Sequence, residues 1–117
     1  MNTRVLGAEF DYYAPASLDE ALEILATKSN VKILAGGTDL IVKMKTAGVS
    51  VDNMLDIKKI DELNFIEAGK CCCGGLSIGA GAKLSEIEEF PQIKNDYLAL
   101  YEALKAMASN SVRNMGT

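Results

Sequence analysis

Apolar positions change their period several times along the chain, and each change marks an element. Leu18, Ala21, Leu22 and Leu25 recur at i, i+3, i+4 and i+7, the spacing of one buried helix face, and predict a helix ending near Lys28 to Asn30. Its start is the capping box Ser17-Leu18-Asp19-Glu20, in which the Ser17 hydroxyl accepts from the Glu20 N–H and the Glu20 carboxylate reaches back. Before it, Phe10-Asp11-Tyr12-Tyr13 is short, aromatic and extended, and Pro15 ends it. After it, Val31 to Ala35 predicts a strand. Leu40, Ile41 and Met44 predict a short helix that stops at Gly48, and Asn53 to Ile57 a further strand. The order β-α-β-α-β favours a small open sheet with helices on it.

The second half reads differently. Leu63 to Ala68 and Leu76 to Ala80 predict two strands of a β-hairpin. Leu84 to Ile87 begins a short helix that halts before Pro91. Ile93, Tyr97, Leu100, Leu104 and Met107 then keep helical spacing and predict one long amphipathic helix into Ala108, followed by the polar, turn-rich Ser109 to Thr117. The fold class is α+β: a small α/β subdomain over residues 1–58, and the first part of a second α+β subdomain over 59–117, a hairpin with helices.

The junction Val31-Lys32-Ile33-Leu34-Ala35-Gly36-Gly37-Thr38-Asp39-Leu40 carries the most chemistry. A strand that runs through a glycine loop into a helix turns backbone N–H groups toward an anion, most often a phosphate. Gly36 and Gly37 remove the Cβ atoms that would hold a diphosphate off the backbone, and Thr38 adds a hydroxyl donor. The same junction also serves simply to turn a corner. A second glycine pair, in Gly79-Ala80-Gly81, resembles the opening of a dinucleotide fingerprint, but Leu84 stands where the third glycine belongs and no acidic residue ends a following strand. A Rossmann fold is thereby disfavoured. The pair either lets a strand end pass close beneath a flat ring or bends the chain into the helix.

Composition narrows the classes. With 117 residues, 49% hydrophobic and 24% charged, the chain is globular. A net charge of −4, with scattered lysines, lacks the clustered basic footprint of a nucleic-acid binder. No apolar run reaches membrane-spanning length and the first residues do not read as a signal peptide, so a cytoplasmic location is predicted. Cys71, Cys72 and Cys73 are adjacent, a spacing that suits neither a disulfide framework nor, without any histidine, a four-ligand metal site. They read as reduced thiols at the hairpin turn.

Taken together, Tyr13 to Ala21, Leu34-Ala35-Gly36-Gly37-Thr38-Asp39-Leu40, Leu55-Asp56-Ile57, Ile78-Gly79-Ala80 and Val112-Arg113-Asn114-Met115-Gly116-Thr117 resemble, in that order, the FAD-binding (medium) subunit of the molybdenum hydroxylases, the xanthine dehydrogenase group. The resemblance runs from about residue 9 to the last residue and covers the N-terminal portion of that subunit. It implies a PCMH-type FAD-binding domain of two subdomains, with the FAD in the cleft between them. Ile33, Leu34, Ala35, Gly36, Gly37, Thr38, Asp39 and Leu40 would match the first FAD loop, which holds the diphosphate through backbone amides. The Asp39 side chain is expected to cap the helix it begins. Met115-Gly116-Thr117 would match the start of the second FAD loop, which in the family continues into two further glycines and a polar residue.

The resemblance also implies a mechanism of electron relay, from a molybdopterin subunit through the 2Fe-2S clusters of an iron–sulfur subunit to FAD and on to NAD or another acceptor. No side chain then needs to act as acid, base or nucleophile, and no metal is expected on this chain. The chain alone is expected to be an inactive part of the flavin domain that binds FAD weakly or not at all, with self-association through exposed sheet edges. Lys43 and Lys45 either add a favourable field at the diphosphate or merely solvate their helix. Two other classes compete: a non-catalytic module that docks on a larger oxidoreductase subunit, and a small phosphate-binding enzyme using Gly36-Gly37-Thr38, which lacks the lysine of a Walker loop.

Overall fold

The structure, a computed structural model, describes residues 9–69 and 74–117. Cys71, Cys72 and Cys73 lie outside the described residues. The chain divides into two compact units, one ending at Asp61 and the other beginning at Glu62.

The first unit runs β1 (Asp11–Tyr13), α1 (Leu18–Thr27), β2 (Val31–Leu34), α2 (Leu40–Thr46) and β3 (Asn53–Asp56). Its three strands are all parallel in the order β1-β3-β2, with Val31 and Asp11 both opposite Asn53. Parallel pairing requires a crossover between neighbours, and the two helices supply it. Strand β3 is buried along its whole length, as a central strand with both faces covered must be. Met54 meets Leu34, Met44 and Val51 in a core to which Phe10, Leu40, Ile41 and Val49 add their partly buried side chains. Leu55, one residue on and therefore on the opposite face, is fully buried too.

Helix α1 starts as its capping residue dictates, with the Glu20 N–H donating to Ser17 Oγ at 3.3 Å. Its buried face is narrower than its periodicity promised. Ala21 is buried, but Leu22 and Leu25 are 53% and 39% exposed. Helical spacing reveals an apolar stripe, not whether a partner covers it. The helix stops at Thr27, and Asn30 takes a left-handed φ of 47° that turns the chain into β2. Asn is among the few non-glycine residues that visit this region routinely.

The second unit holds a single 3-10 turn (Asp61–Leu63, its first residue in the unit before), the antiparallel pair β4 (Ile66–Ala68) and β5 (Leu76–Ile78), and four helices. These are α3 (Leu84–Glu89), α4 (Pro91–Asp96), α5 (Leu98–Ala106) and α6 (Asn110–Arg113). Ala82, Ile87, Ile93 and Leu104 form its core. The hairpin is present, with Leu63 in the 3-10 turn rather than in the strand. The predicted single long helix is broken: Tyr97 has φ −127° and ψ 56°, outside the helical region, and separates α4 from α5. Asn95 and Asp96, weak helix formers, precede the break. The polar stretch after Ala108 also holds more order than its composition suggests. Ser109 Oγ accepts from the Val112 N–H at 3.3 Å and caps the single turn α6.

Candidate functional site

The predicted phosphate loop lies where parallel sheets place their ligands, at the carboxyl end of a strand. Leu34 ends β2 with its side chain in the core, while its carbonyl accepts from the Ile57 N–H at 3.0 Å. Ile33, on the opposite face, is half-exposed. The backbone then turns through Ala35, Gly36 and Gly37, all partly buried, and reaches Thr38 and Asp39 at the surface. Leu40 opens α2 and folds its side chain against the core.

Two observations fit this loop to an anion. Gly37 has φ +77°, and a Cβ added there would come within 3.1 Å of Ile41 Cγ1, so the turn needs glycine. Moreover, the first backbone bond of the following helix is donated by Ile41, to the Gly37 carbonyl at 3.3 Å. The amides of Gly36, Gly37, Thr38, Asp39 and Leu40 meet no acceptor among the described residues. Consecutive unsatisfied N–H groups in a turn with a left-handed residue make an anion-binding concavity. A diphosphate suits that donor set.

Asp39 corrects one expectation. Its backbone is helical (φ −109°, ψ −54°) and its side chain makes no cap bond. The carboxylate instead pairs with Lys43 Nζ at 2.8 Å, one helical turn on. An N-cap side chain bonds back to the helix only from an extended backbone, which Asp39 does not have. Lys43 is thereby paired with a carboxylate on its own helix, and the two charges together present less net positive field to the loop than a lone lysine would.

Next to the loop stands a polar group, Asp56, whose place in Leu55-Asp56-Ile57 carries no signal of its role. Asp56, opposite Leu34 at the end of β3, is buried. The Tyr12 hydroxyl donates to its Oδ2, the Lys58 amide to its Oδ1 at 2.9 Å, and Lys58 Nζ stands 3.4 Å from Oδ2. Burial alone would push this carboxyl up, but the Tyr12 hydroxyl, the Lys58 amide and the Lys58 charge together outweigh it and hold it below the usual carboxylate range. Tyr12 is pushed up in return, first by its bond to the carboxylate and then by burial and the negative charge.

In the second unit, the remaining predicted residues meet a different fate. Gly116 is buried, and both of its backbone groups are used: its N–H donates to the Val112 carbonyl at 2.7 Å and its carbonyl accepts from the Leu84 N–H at 2.9 Å. Thr117 is exposed. Gly79 and Gly81 serve the backbone itself. Their amides donate to the carbonyls of Phe65 and Leu63 at 2.8 and 2.9 Å, and a Cβ on Gly79 would stand 2.7 Å from the Leu63 carbonyl carbon. The pair permits two chain segments to touch. Arg113, which sequence reasoning passed over, is buried at the start of the terminal segment, and the only hint of it was its place within the Val112 to Thr117 motif. Among the described residues there is no cluster of acidic, cysteine or histidine side chains able to hold a metal, and no helix long and apolar enough to cross a membrane.

Comparison with known proteins converges. The family described as the FAD binding domain in molybdopterin dehydrogenase matches residues 8–117. The FAD-subunit of nicotinate dehydrogenase from Eubacterium barkeri is 35% identical over 111 residues, covering 93% of this chain and 36% of that protein. The medium chain of glyceraldehyde dehydrogenase from Sulfolobus acidocaldarius is 37% identical over 109 residues, covering 93% and 38%. Among solved structures, carbon monoxide dehydrogenase from Hydrogenophaga pseudoflava superposes with a TM-score of 0.85 at 33% identity, covering 97% of this chain and 39% of that one. The chain thus spans 36–39% of the length of these relatives.

Proposed function

The chain belongs to the family of FAD-binding domains of the molybdopterin dehydrogenases, and on that premise we propose that Ile33 to Leu40 hold the FAD diphosphate through the backbone amides of Gly36 to Leu40. The observation that carries this reading is the run of amides around a left-handed Gly37 that meet no acceptor among the described residues. Thr38, exposed beside them, adds its hydroxyl. In the second loop, Thr117 is the residue available to the ligand, while Gly116 sets the backbone from which it projects.

When bound, FAD supplies the carrier through which electrons from molybdenum and iron–sulfur centres on partner subunits reach NAD or another acceptor. The relatives that carry the names FAD-subunit and medium chain support this place in a multi-subunit dehydrogenase. This chain's own residues bind and orient the cofactor; none is assigned a proton transfer. Because the chain corresponds to 36–39% of its relatives' length, we assign it weak FAD affinity and no electron-transfer activity when alone.

The test is residue-resolved. Addition of FAD to the isotope-labelled chain should move the amide resonances of Gly36 to Leu40 and leave those of Gly79 and Gly81, already bonded to backbone carbonyls, in place. Shifts confined to other residues would contradict the assignment.

A further inference from the structure

The second flavin loop is preceded by a charge buried in an unusual way. The Arg113 side chain is 8% exposed. Its Nη1 donates to the carbonyls of Met107 at 2.7 Å and Ala108 at 3.1 Å, and its Nη2 to Asn110 Oδ1. Nε stands 3.0 Å from Glu88 Oε2 but is not aligned for a hydrogen bond, so this contact is an ion pair. One planar guanidinium therefore joins the Glu88 side of α3, the end of α5 and the start of α6. It also holds Ala108 in a left-handed conformation (φ 51°) that alanine adopts only under constraint. A buried ion pair is weak evidence of stability, since apolar residues of the same volume commonly do as well. A fork of this kind specifies one geometry instead.

What that geometry serves is found three residues on. Gly116, at i+3 from Arg113, gives its carbonyl to the Leu84 N–H at 2.9 Å. Leu84 and Glu88 are i and i+4 on α3, neighbours on one helix face. Helix α3 thus grips the terminal segment at two points: Glu88 on Arg113, and the Leu84 amide on Gly116. Between those points the amides of Met115 and Gly116 both donate to the Val112 carbonyl, at 3.1 and 2.7 Å, and close the turn.

We propose that Arg113 is a positioning residue for the flavin site: paired with Glu88, it fixes the turn through Gly116 that presents Thr117 to the cofactor. The inference rests on the FAD reading above. Lysine at this position would keep the charge but lose the fork, and glutamine at position 88 would keep the shape but lose the ion pair.

The experiment titrates FAD into the parent chain, Arg113→Lys, Glu88→Gln and the core variant Leu104→Ala, following flavin fluorescence for affinity and circular dichroism for melting. Leu104 is an apolar residue buried in the core of the same unit and is not among the polar partners of Arg113 or Glu88, so it reports general loosening. We expect Arg113→Lys and Glu88→Gln to weaken FAD about tenfold, equivalent to about 1.4 kcal/mol of binding free energy. Both should do so well beyond Leu104→Ala, even where Leu104→Ala lowers the melting temperature more. If Arg113→Lys does not fold, Glu88→Gln decides by the same criterion. Affinity unchanged in the folded clamp variants, or lost equally in Leu104→Ala, overturns the positioning role alone. A parent chain that takes up no FAD overturns the cofactor reading and this proposal with it.

Discussion

The Tyr12 hydroxyl on β1 donates to the carboxylate of Asp56, which closes β3 beside the loop that follows β2. The bond ties an outer strand to the centre of the sheet at the carboxyl end, where the proposed flavin loop begins. A buried carboxylate without such donors would be costly. Here the Tyr12 hydroxyl and the Lys58 amide are aimed at its two oxygens.

Tyr12→Phe removes one of these donors. The expected loss is about 1 kcal/mol, below the usual range for a bond to a charged group because Tyr12 is half-exposed to water. Urea denaturation at neutral pH measures it; no change in midpoint would show that the bond contributes nothing.

The same pair makes stability depend on pH in a defined sense. Asp56 has its folded pKa lowered from the ordinary 3.8, so its contribution is present above that value and is lost as pH falls through the lowered one. Tyr12 has its folded pKa raised from 10.0, so its contribution is present below that value and is lost as pH rises through the raised one. Denaturation midpoints measured from pH 2 to 7 should fall at the acid end in the parent and fall less in Asp56→Asn. Parallel curves for the two would contradict the assignment.

Gly79 and Gly75, at the two ends of the segment that holds β5, should respond differently to alanine. At Gly79 a Cβ would stand 2.7 Å from the Leu63 carbonyl carbon and 2.8 Å from Phe65 Cδ1, so Gly79→Ala should cost about 3 kcal/mol or prevent folding. Gly75→Ala, with nothing within 4 Å of its Cβ, should stay within about 0.5 kcal/mol of the parent. Thermal melts of the two variants compare them directly.

Ala108→Gly offers a gain. Its φ of 51° strains alanine and suits glycine. A rise in stability of about 0.5 kcal/mol is expected, smaller than the strain relieved because glycine also loosens the unfolded chain. Calorimetry of the variant checks the sign.

Much of this was legible in the residues. Ser17 starts α1, Gly48 follows the end of α2 with φ +64°, and the parallel order of elements follows from their alternation. The loop at Gly36 and Gly37 stands where the strand-to-helix signal put it. The break at Tyr97 was not legible, because Ile93 and Leu104 both face one core and the apolar period survives the interruption. Nor was the exposure of Leu22 and Leu25, which depends on what packs against α1 and not on its own pattern. Asp39 looked like a cap by type, and only its backbone angles show that it is not. Arg113 was visible as a letter, but its role depends on Glu88, distant in sequence and brought close by the packing of α3 against α6.

The central claim, that the amides around Gly37 hold the FAD diphosphate, is tested most directly by fluorescence titration of FAD with this chain and with its Gly36→Val, Gly37→Val double variant, both verified as folded. Weak, saturable quenching by the parent that disappears in the variant is the predicted result. Quenching of equal strength in both, or none by the parent, would contradict it.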